Sequence, residues 1–486
     1  MGTTHTTQRF LAVATALLLT ACGGGGDNQV AGIDRLGINS GTVSGFGSII
    51  VNGVRFETTS ASFDIDDDSV GSSETDLSVG DVVVVVFDTD TPTIAQTVIG
   101  DEAVEGPVNS INLTTGVLEV AGQTVRTDAG TSLDDINGVN SLADIVQNDF
   151  VEVNGFFDSD GSIRATRIEK KALAGETEVH GIVSAKTANT FMINALVIDY
   201  TSVPAIIDDD FPGNTFDNGD QVEVKGTNYA GSTLLATKVE PDGLGVGEGG
   251  TGLDISKIDN VEIEGLITGF TSSSEFDVAG VPVITTAGTV YEGGIPADLA
   301  LNVKVEVDGA FNALGILVAE QVDIRRDNSL RVTALVDDVN VGAGTLSVMG
   351  ISVQVDNKTR LEDKSAAGLQ PFGLSDISVG NYVEVRGGAD PGAADILALL
   401  LERDDVPGVA GEDTELRAVV EAINRPLLTV AGVTVDTGTA EFRDADDVVI
   451  DADAFFATVQ VDDLIEATGV QSGQTSLDAD EVELED

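Results

Sequence analysis

The sequence is poor in the residues on which most enzyme sites depend. Its 486 residues include one cysteine, two histidines and no tryptophan, and aromatic residues make up 5%. One cysteine cannot form an intramolecular disulfide, and this supply of Cys and His does not build a Cys/His zinc site or a common nucleophile–imidazole pair. The chain also lacks the glycine-rich loops that bind phosphates or dinucleotides. We therefore predict that the protein is not an enzyme and holds no cofactor, with Ca²⁺ as the one candidate, considered below.

Basic residues are scarce as well. The chain has 24 Lys and Arg against 82 Asp and Glu, which leaves a formal net charge of −58 at pH 7. A field of that sign repels phosphate backbones, and the basic residues occur singly or in pairs, so we predict no nucleic-acid partner. With so many acids, two carboxylates at a catalytic distance occur by chance, so they do not indicate glycoside hydrolysis. The missing Trp also disfavours a sugar-stacking cleft.

Long apolar runs are absent except for a short one near the N-terminus. It extends from Phe10 to Ala21 after a polar start that contains Arg9. The run is too short to span a bilayer and has the form of a secretory signal. Its end, "LTAC", places Cys22 where the lipobox of bacterial lipoproteins has the cysteine whose thiol takes the lipid. The only cysteine of the chain is therefore the predicted lipidation site.

This segment predicts where the protein is located. We expect a lipoprotein signal peptide at residues 1–21, a lipid on Cys22 and a flexible tether at residues 22–38. Gly23 directly after the cysteine resembles the sorting signal of outer-membrane lipoproteins in Gram-negative bacteria. The expected location is therefore the cell envelope, lipid-anchored at the outer membrane, with the membrane as one partner and any protein or polymer partner unnamed.

Behind the tether, one pattern occurs six times. Its marks are an opening strand such as "EGPVNSIN" at Glu105, a short turn between apolar residues such as "VAGQTV" at Val120, and a strand such as "NDFVEVNG" at Asn148. All three marks keep their order in every copy, which is the signature of a repeat protein. The predicted repeats span residues 39–103, 104–174, 175–241, 261–327, 328–406 and 407–486, with a Gly-rich linker at residues 242–260.

Each repeat predicts an all-β unit of about five short strands. Pairs such as Asn52-Gly53 supply the positive φ angles of tight hairpins. Five short strands with Gly-containing turns favour a small closed barrel of the oligonucleotide/oligosaccharide-binding (OB) type, and a small β-sandwich is the alternative. The segment from Pro391 to Arg403 comes nearest to a helical pattern. The predicted fold is therefore six tandem OB-like barrels.

Two positions on the strands are predicted to face outward. In Val151-Glu152-Val153 the alternation buries the valines and exposes the acid. His180 lies in its repeat where the other repeats have Ser, Glu, Thr or Arg. A position that accepts all of these is an outward strand site, so we predict a structural role for His180.

The order of these marks, G-x-V, then v-N-G-v, then VGD-x-VEV-x-G and a closing A-T-x-I-E, resembles the repeated domain of the bacterial domain-of-unknown-function family numbered 5666. The second and third repeats carry the pattern best, and the sixth has Asp462-Asp463 in place of Gly-Asp. The resemblance covers most of Ser40 to Glu485. It implies small β-barrel modules on secreted or lipid-anchored envelope proteins, and it implies no activity, substrate or catalytic residue.

Clusters of acids occur at one place in the repeat, between the third strand and the turn before the VEV-type strand. Several carboxylates on one loop provide oxygen ligands of the kind Ca²⁺ prefers, although none follows the EF-hand spacing. A solvated acidic loop is the other interpretation. The candidate calcium ligands are Asp64, Asp66, Asp67, Asp68, Asp208, Asp209, Asp210, Asp444, Asp446 and Asp447.

Two functions are compatible with these observations. The favoured one is a non-enzymatic, lipid-anchored array of barrels that acts as a structural or adhesive surface module and is stabilised by divalent cations. The alternative is an envelope protein that captures an oligosaccharide or a peptide on its barrel faces. A binding array would repeat exposed polar or aromatic side chains on one face. The residues that the repeats share are turn glycines, core valines and strand acids, which favours the structural function.

Overall fold

The computed structural model describes residues 35–485 except for residues 66–70, 101, 114, 129, 136–140, 173–174, 202–204, 209–210, 212, 214, 243–256, 326–329, 390–395, 407–413 and 446–447. The predicted signal peptide, Cys22 and nearly all of the tether lie outside the described residues. Within the described part, no helix has the length and apolar character needed to cross a membrane.

The described chain forms six barrels, numbered 1 to 6 in chain order. Those of the first half contain twenty strands. Barrel 1 has β1 (Leu36–Gly45), β2 (Ile49–Val51), β3 (Val54–Phe56), β4 (Ser62–Ile65), β5 (Val82–Asp88) and β6 (Ala95–Gly100). Barrel 2 has β7 (Val104–Asn112), β8 (Val117–Val120), β9 (Gln123–Arg126), β10 (Ser132–Asp135), β11 (Phe150–Phe157) and β12 (Ile163–Lys170). Barrel 3 has β13 (Thr177–Ser184), β14 (Thr190–Ile193), β15 (Leu196–Asp199), β16 (Ile206–Ile207), β17 (Gln221–Gly226), β18 (Asn228–Ala230), β19 (Thr233–Leu235) and β20 (Lys238–Pro241).

The second half repeats this plan. Barrel 4 has β21 (Ile258–Ser272), β22 (Glu275–Val278), β23 (Val281–Ile284), β24 (Val290–Glu292), β25 (Lys304–Phe311) and β26 (Leu317–Arg325). Barrel 5 has β27 (Leu330–Asn340), β28 (Thr345–Val348), β29 (Ile351–Gln354), β30 (Arg360–Asp363), β31 (Tyr382–Ala389) and β32 (Ile396–Asp404). Barrel 6 has β33 (Thr414–Asn424), β34 (Leu427–Val430), β35 (Val433–Asp436), β36 (Glu441–Arg443), β37 (Val449–Ile450), the helix α1 (Ala452–Thr458), β38 (Leu464–Gly473) and β39 (Ser476–Leu484).

Each barrel closes through the same ring of pairings. In barrel 4, β21 pairs with β22, β22 with β23, β23 in parallel with β26, β26 with β25, and β25 again with β21. Barrel 1 completes its ring with a single bridge between Glu57 and Ile94. This five-stranded order is that of an OB-type barrel, so the predicted fold is confirmed and the sandwich alternative is wrong.

Two details differ from the prediction. A short additional strand, such as β24 in barrel 4, pairs in parallel with the last strand and lies on the connection between the third and fourth ring strands. The near-helical segment that begins at Pro391 is a strand, β32, over its described part. Its leucines belong to the closing strand of the barrel, where β32 pairs with β31 along its whole length. Pairing on a barrel therefore overrides the helical propensity of this segment.

Backbone geometry explains the shared turn before the fourth ring strand. The third residue of this four-residue turn has a positive φ in all six barrels, and the position holds only Gly, Asn or Asp, which tolerate this region best. In barrel 2, the amide of Asn148 donates to the carbonyl oxygen of Val108 and the amide of Val108 donates to Asp149, at 2.9 and 2.8 Å. The six residues are Gly80 (102°), Asn148 (74°), Gly219 (102°), Asn302 (64°), Gly380 (84°) and Asp462 (74°). The Asp462 turn of the sixth repeat therefore keeps the geometry.

The barrels associate in pairs through their first strands. β1 runs parallel to β21, which joins barrel 1 to barrel 4. β7 pairs antiparallel with β13, joining barrels 2 and 3, and β27 with β33, joining barrels 5 and 6. One apolar core is continuous through barrels 2 and 3, and another through barrels 5 and 6. An edge of each first strand is therefore paired with a second barrel.

Candidate functional site

A row of polar side chains crosses the outer face of five barrels. It consists of one residue from each of the first, fourth and last ring strands, counted in chain order, and these residues lie directly opposite one another. Like charges at such positions destabilise a sheet unless cations neutralise them. The rows are Glu105, Glu152 and Glu169 in barrel 2; His180, Glu223 and Glu240 in barrel 3; Glu264, Glu306 and Asp323 in barrel 4; Thr333, Glu384 and Glu402 in barrel 5; and Arg417, Glu466 and Glu483 in barrel 6.

The predicted exposure of Glu152 is wrong. Its side chain points out of the barrel, yet the residue is 8% exposed, because Arg167 and Lys171 cover it. Arg167 is itself buried and also contacts Asp81 of barrel 1 at 3.3 Å and Glu169 at 2.7 Å. Burial lowers the pKa of Arg167, but the three carboxylates raise it above its usual value, so the guanidinium stays charged. The VEV-type acid is therefore part of a barrel–barrel contact.

His180 points out of its barrel, as predicted, but it is not exposed to solvent. The residue is buried in the molecule, at 3% exposure. Its Nε2 lies 3.2 Å from Glu178 and its Nδ1 3.3 Å from Asp242. Lys225 contacts Glu178 at 2.7 Å and Glu223 at 3.0 Å. Burial raises the pKa of Glu178, but His180 and Lys225 outweigh it and hold the value at about 2. The cluster therefore works as a network of ion pairs, in agreement with a structural role.

Barrels 1, 2, 4 and 5 meet around a cavity of about 90 Å³. In this acidic chain the cavity is lined by five cationic side chains: Arg164, Lys304, Arg325, Lys358 and Arg360. Lys358 of barrel 5 reaches barrel 4, where its Nζ lies 2.7 Å from Glu306 and 2.9 Å from Asp323. Arg360 reaches barrel 2, where it donates to the carbonyl oxygens of Thr166, at 3.0 Å, and Gly130. The junction therefore concentrates the scarce basic residues.

A search against family models matches five segments of the chain, residues 38–94, 105–169, 180–240, 248–323 and 331–400, to "Domain of unknown function (DUF5666)". These segments cover more than half of the sequence. The chain belongs to the DUF5666 family. The matched segments fall on the first five barrels, and barrel 6, which lies beyond them, has the same ring of pairings. No curated protein matches the chain.

One further acidic cluster of the DUF5666 barrels lies beside the junction. Oxygens of Glu262, Glu306 and Asp308, on β21 and β25, lie within 4.8 Å of one another. Burial, Asp308 and Glu306 raise the pKa of Glu262 to about 9, and burial and Glu306 raise that of Asp308 to about 6. Glu262 also accepts a hydrogen bond from Asn39 Nδ2 at 2.6 Å. A proton retained on Glu262 near neutral pH therefore reduces the repulsion within this cluster.

The acidic loops predicted to bind calcium lie at equivalent places in three DUF5666 repeats. Asp64 is on β4, Asp208 follows β16, and Asp444 follows β36. Asp444 Oδ1 accepts a hydrogen bond from the amide of Val448 at 3.0 Å. Neither of the two metal-compatible groups found in the described part of the chain includes these residues. Outside the described residues lie Asp66, Asp67, Asp68, Asp209, Asp210, Asp446 and Asp447, so calcium binding by the loops stays a prediction.

Sequence reasoning missed the basic residues of the junction. Lys358, Arg360 and Lys364 lie close together in a part of the fifth repeat where the other repeats carry mainly acids. Lys364 Nζ donates to the carbonyl oxygen of Leu133 in barrel 2 at 2.8 Å. In a chain with 24 basic residues, three cations within seven positions are the signal that could have indicated a contact. Their partners lie far away in sequence and could not have been named.

Proposed function

We propose that the protein is a non-enzymatic, lipid-anchored protein of the cell envelope, whose barrels form a structural or adhesive surface module. Support for the anchor comes from the sequence, where a short apolar run ends at the only cysteine, Cys22, before a glycine-rich tether. An outer-membrane location is part of the proposal, based on Gly23. No nucleic acid is among the proposed partners, because the net charge is −58.

The observation that carries this proposal is the use of the polar residues that the repeats share. Glu152, Glu264 and Glu306 are buried in ion pairs with cations of their own or a neighbouring barrel. Residues repeated for a common ligand would remain accessible on each barrel. Among the described phenylalanines, Phe270 alone is exposed, which gives little support to a stacking groove for oligosaccharide. Capture of an oligosaccharide or peptide on barrel faces is therefore the less supported alternative.

Stabilisation by divalent cations remains part of the proposal. The acidic loops around Asp64, Asp208 and Asp444 supply the oxygen ligands. We expect Ca²⁺ to raise the melting temperature more than Mg²⁺ or NaCl does at matched ionic strength, because only bound Ca²⁺ adds to the effect of screening. The Mg²⁺ and NaCl controls are needed because screening alone stabilises so acidic a chain. Equal effects of the three salts contradict calcium binding by the loops. They do not bear on the proposal of a lipid anchor at Cys22.

The anchor is tested by labelling cells that express the full chain with an alkyne fatty acid. We expect the label on the wild-type protein and recovery of that protein in the outer-membrane fraction. Cys22→Ser removes the thiol, so it loses the label and leaves the membrane fraction. Gly26→Ala, four residues further on, is the control and keeps both. Label on the Cys22→Ser chain, or an unlabelled wild type in the soluble fraction, rules the anchor out.

A further inference from the structure

His180 lies in its barrel as metal-binding histidines do in other proteins. The residue is 3% exposed and lies on β13 directly opposite Glu223 of β17. Its Nδ1 is 3.3 Å from Asp242, the residue that follows β20. A histidine that binds a metal almost always donates its other ring N–H to a carboxylate, a carbonyl oxygen or water, and this hydrogen bond fixes the ring. Asp242 supplies that carboxylate, so the ring presents Nε2 to the opposite side.

Two buried glutamates lie beside the ring. Glu178 Oε1 is 3.2 Å from Nε2. One carboxylate oxygen of Glu178, one of Glu223 and one ring nitrogen of His180 all lie within 4.8 Å of one another. Two ligands of a tetrahedral Zn²⁺ lie about 3.3 Å apart when each is about 2.0 Å from the metal. Nε2 and Glu178 are therefore spaced as two ligands of one ion, and Glu223 provides a third.

The surroundings of His180 require a further cation. A carboxylate oxygen faces each ring nitrogen, but a neutral imidazole offers one N–H and one lone pair. Because a lone pair and a carboxylate repel each other, a second proton or a metal ion has to lie between the ring and one of the two carboxylates. Carboxylates also outnumber lysines on this face of barrel 3. The carboxylates are Glu178, Glu223, Glu240 and Asp242, the lysines are Lys225 and Lys238, and Glu105 of barrel 2 lies opposite Glu178 with Lys171 beside it.

We infer that Glu178, His180 and Glu223 bind one divalent transition-metal ion of the Zn²⁺ type. The imidazole nitrogen selects such an ion over Ca²⁺ and Mg²⁺, which prefer oxygen ligands, and the two carboxylates neutralise its charge. Lys225 is the competitor, because its Nζ lies 2.7 Å from Glu178 and 3.0 Å from Glu223 and the ion takes over both contacts. The side chain of Lys225 is 14% exposed, so its ammonium can turn to solvent. Asp242 directly precedes the Gly-rich linker, so the ion also fixes where the chain leaves barrel 3.

Isothermal titration calorimetry on the full chain, purified in detergent without a polyhistidine tag and freed of metal by a chelator, tests the site. ZnCl₂ is the test, and CaCl₂ and MgCl₂ at the same concentrations are the controls. We expect saturable binding of one Zn²⁺ per chain, with a rise in melting temperature beyond that in either control. In ¹⁵N-histidine spectra of His5→Asn, which leaves His180 as the one imidazole, Zn²⁺ shifts the Nε2 resonance and Nδ1 keeps its proton. Equal behaviour of the three ions, or an unmoved Nε2 resonance, overturns the proposal.

Variants locate the binding. His180→Asn removes the nitrogen ligand, and we expect the dissociation constant for Zn²⁺ to rise at least tenfold. Lys225→Met removes the competing ammonium, so the dissociation constant falls at least threefold, which a purely structural lysine would not cause. Glu57→Gln, at an exposed pair with Arg55, leaves binding unchanged. If His180→Asn does not fold, Lys225→Met decides. Wild-type affinity in His180→Asn, or an affinity in Lys225→Met no higher than that of the wild type, overturns the proposal.

Discussion

Individual glycines in the VEV-x-G motif leave room for the closing strand. A Cβ built on Gly309 would lie 2.2 Å from the carbonyl oxygen of Val318, and the same contact is 2.2 Å for Gly387 with Leu397 and for Gly469 with Asp478. The register of the two strands shifts at these places, for example between Asp308 and Gly309. The glycine is required by the close approach of two backbones at a β-bulge.

At the residue scale we predict that Gly309→Ala destabilises barrel 4. The backbone carbonyl of Val318 cannot rotate away, so β25 and β26 must separate locally, which costs about 2 kcal/mol or more. Gly288→Ala is the matched control, because its Cβ would meet nothing nearer than 3.6 Å. Calorimetric melting of both variants checks this. Equal melting temperatures contradict the steric role of Gly309.

Pairs of neighbouring strands decide how the carboxylates titrate. On β21, Glu262 lies opposite Asp308 and Glu264 lies opposite Glu306. Glu264 accepts hydrogen bonds from the Thr42 amide and hydroxyl, both at 2.8 Å, and pairs with Lys304. Burial raises the pKa of Glu264, but Lys304 and Thr42 outweigh it and hold the value at about 2, whereas the pKa of Glu262 is about 9. The contributions of these two acids to stability therefore change in opposite directions with pH.

At the element scale we predict that Glu262→Gln stabilises the protein at alkaline pH. The folded-state pKa of Glu262 is raised above its unfolded value of 4.5. Its stabilising contribution is therefore complete below pH about 4.5 and is lost progressively as the pH rises towards 9. Glutamine does not ionise, so the variant avoids this loss, which grows by up to about 1.4 kcal/mol per pH unit between the two pKa values. Its advantage in melting temperature disappears near pH 4.5.

Glu264→Gln is the control with the opposite sign. The pKa of Glu264 is lowered, so its contribution is present above pH 4.5 and is lost as the pH falls towards 2. The variant melts earlier than the wild type at neutral pH, and the difference narrows in acid. Calorimetry across this pH range separates the two acids. The same sign for both variants contradicts the assignment.

Across the whole molecule, barrels far apart in sequence share their counterions. Arg167 connects Asp81 of barrel 1 with Glu152 and Glu169 of barrel 2. Lys358 connects barrel 5 with Glu306 and Asp323 of barrel 4. With 24 basic residues against 82 acids, Arg167 and Lys358 each serve more than one carboxylate. Charge therefore helps to hold the barrels together despite the net repulsion.

At this scale we predict that Arg167→Met weakens the contact between barrels 1 and 2. The variant leaves the buried carboxylates of Asp81 and Glu152 and the half-buried one of Glu169 without their shared cation. Breaking such a buried pair costs about 3–5 kcal/mol. The penalty shrinks near pH 4, because the carboxylates then take up protons. Arg55→Met removes an exposed pair with Glu57 at 3.8 Å and changes stability by less than about 1 kcal/mol. A loss for Arg167→Met that is no greater than the control, or independent of pH, refutes the network.

Most of each barrel could be predicted from local sequence. Asn52 and Gly53 have φ angles of 49° and 77°, as the hairpin signal requires, and the turn position of Gly80 or Asp462 accepts residues that tolerate positive φ. The alternation of valines around Glu152 located the buried face of β11 correctly. The extra strand on the connection to the fourth ring strand, such as β24, was missed, because its pairing depends on β26, a strand about thirty residues further on.

The sequence by itself determined the repeat, the strand order within a barrel and the turns, because these depend on backbone conformation and on contacts within one repeat. Only the tertiary structure decided which outward side chains are buried. His180 and Glu152 face out of their barrels and are nevertheless buried, and Arg360 meets Thr166 across 194 positions of sequence. Such contacts form when whole barrels pack, and a pattern within one repeat contains no information about which barrel lies beside it.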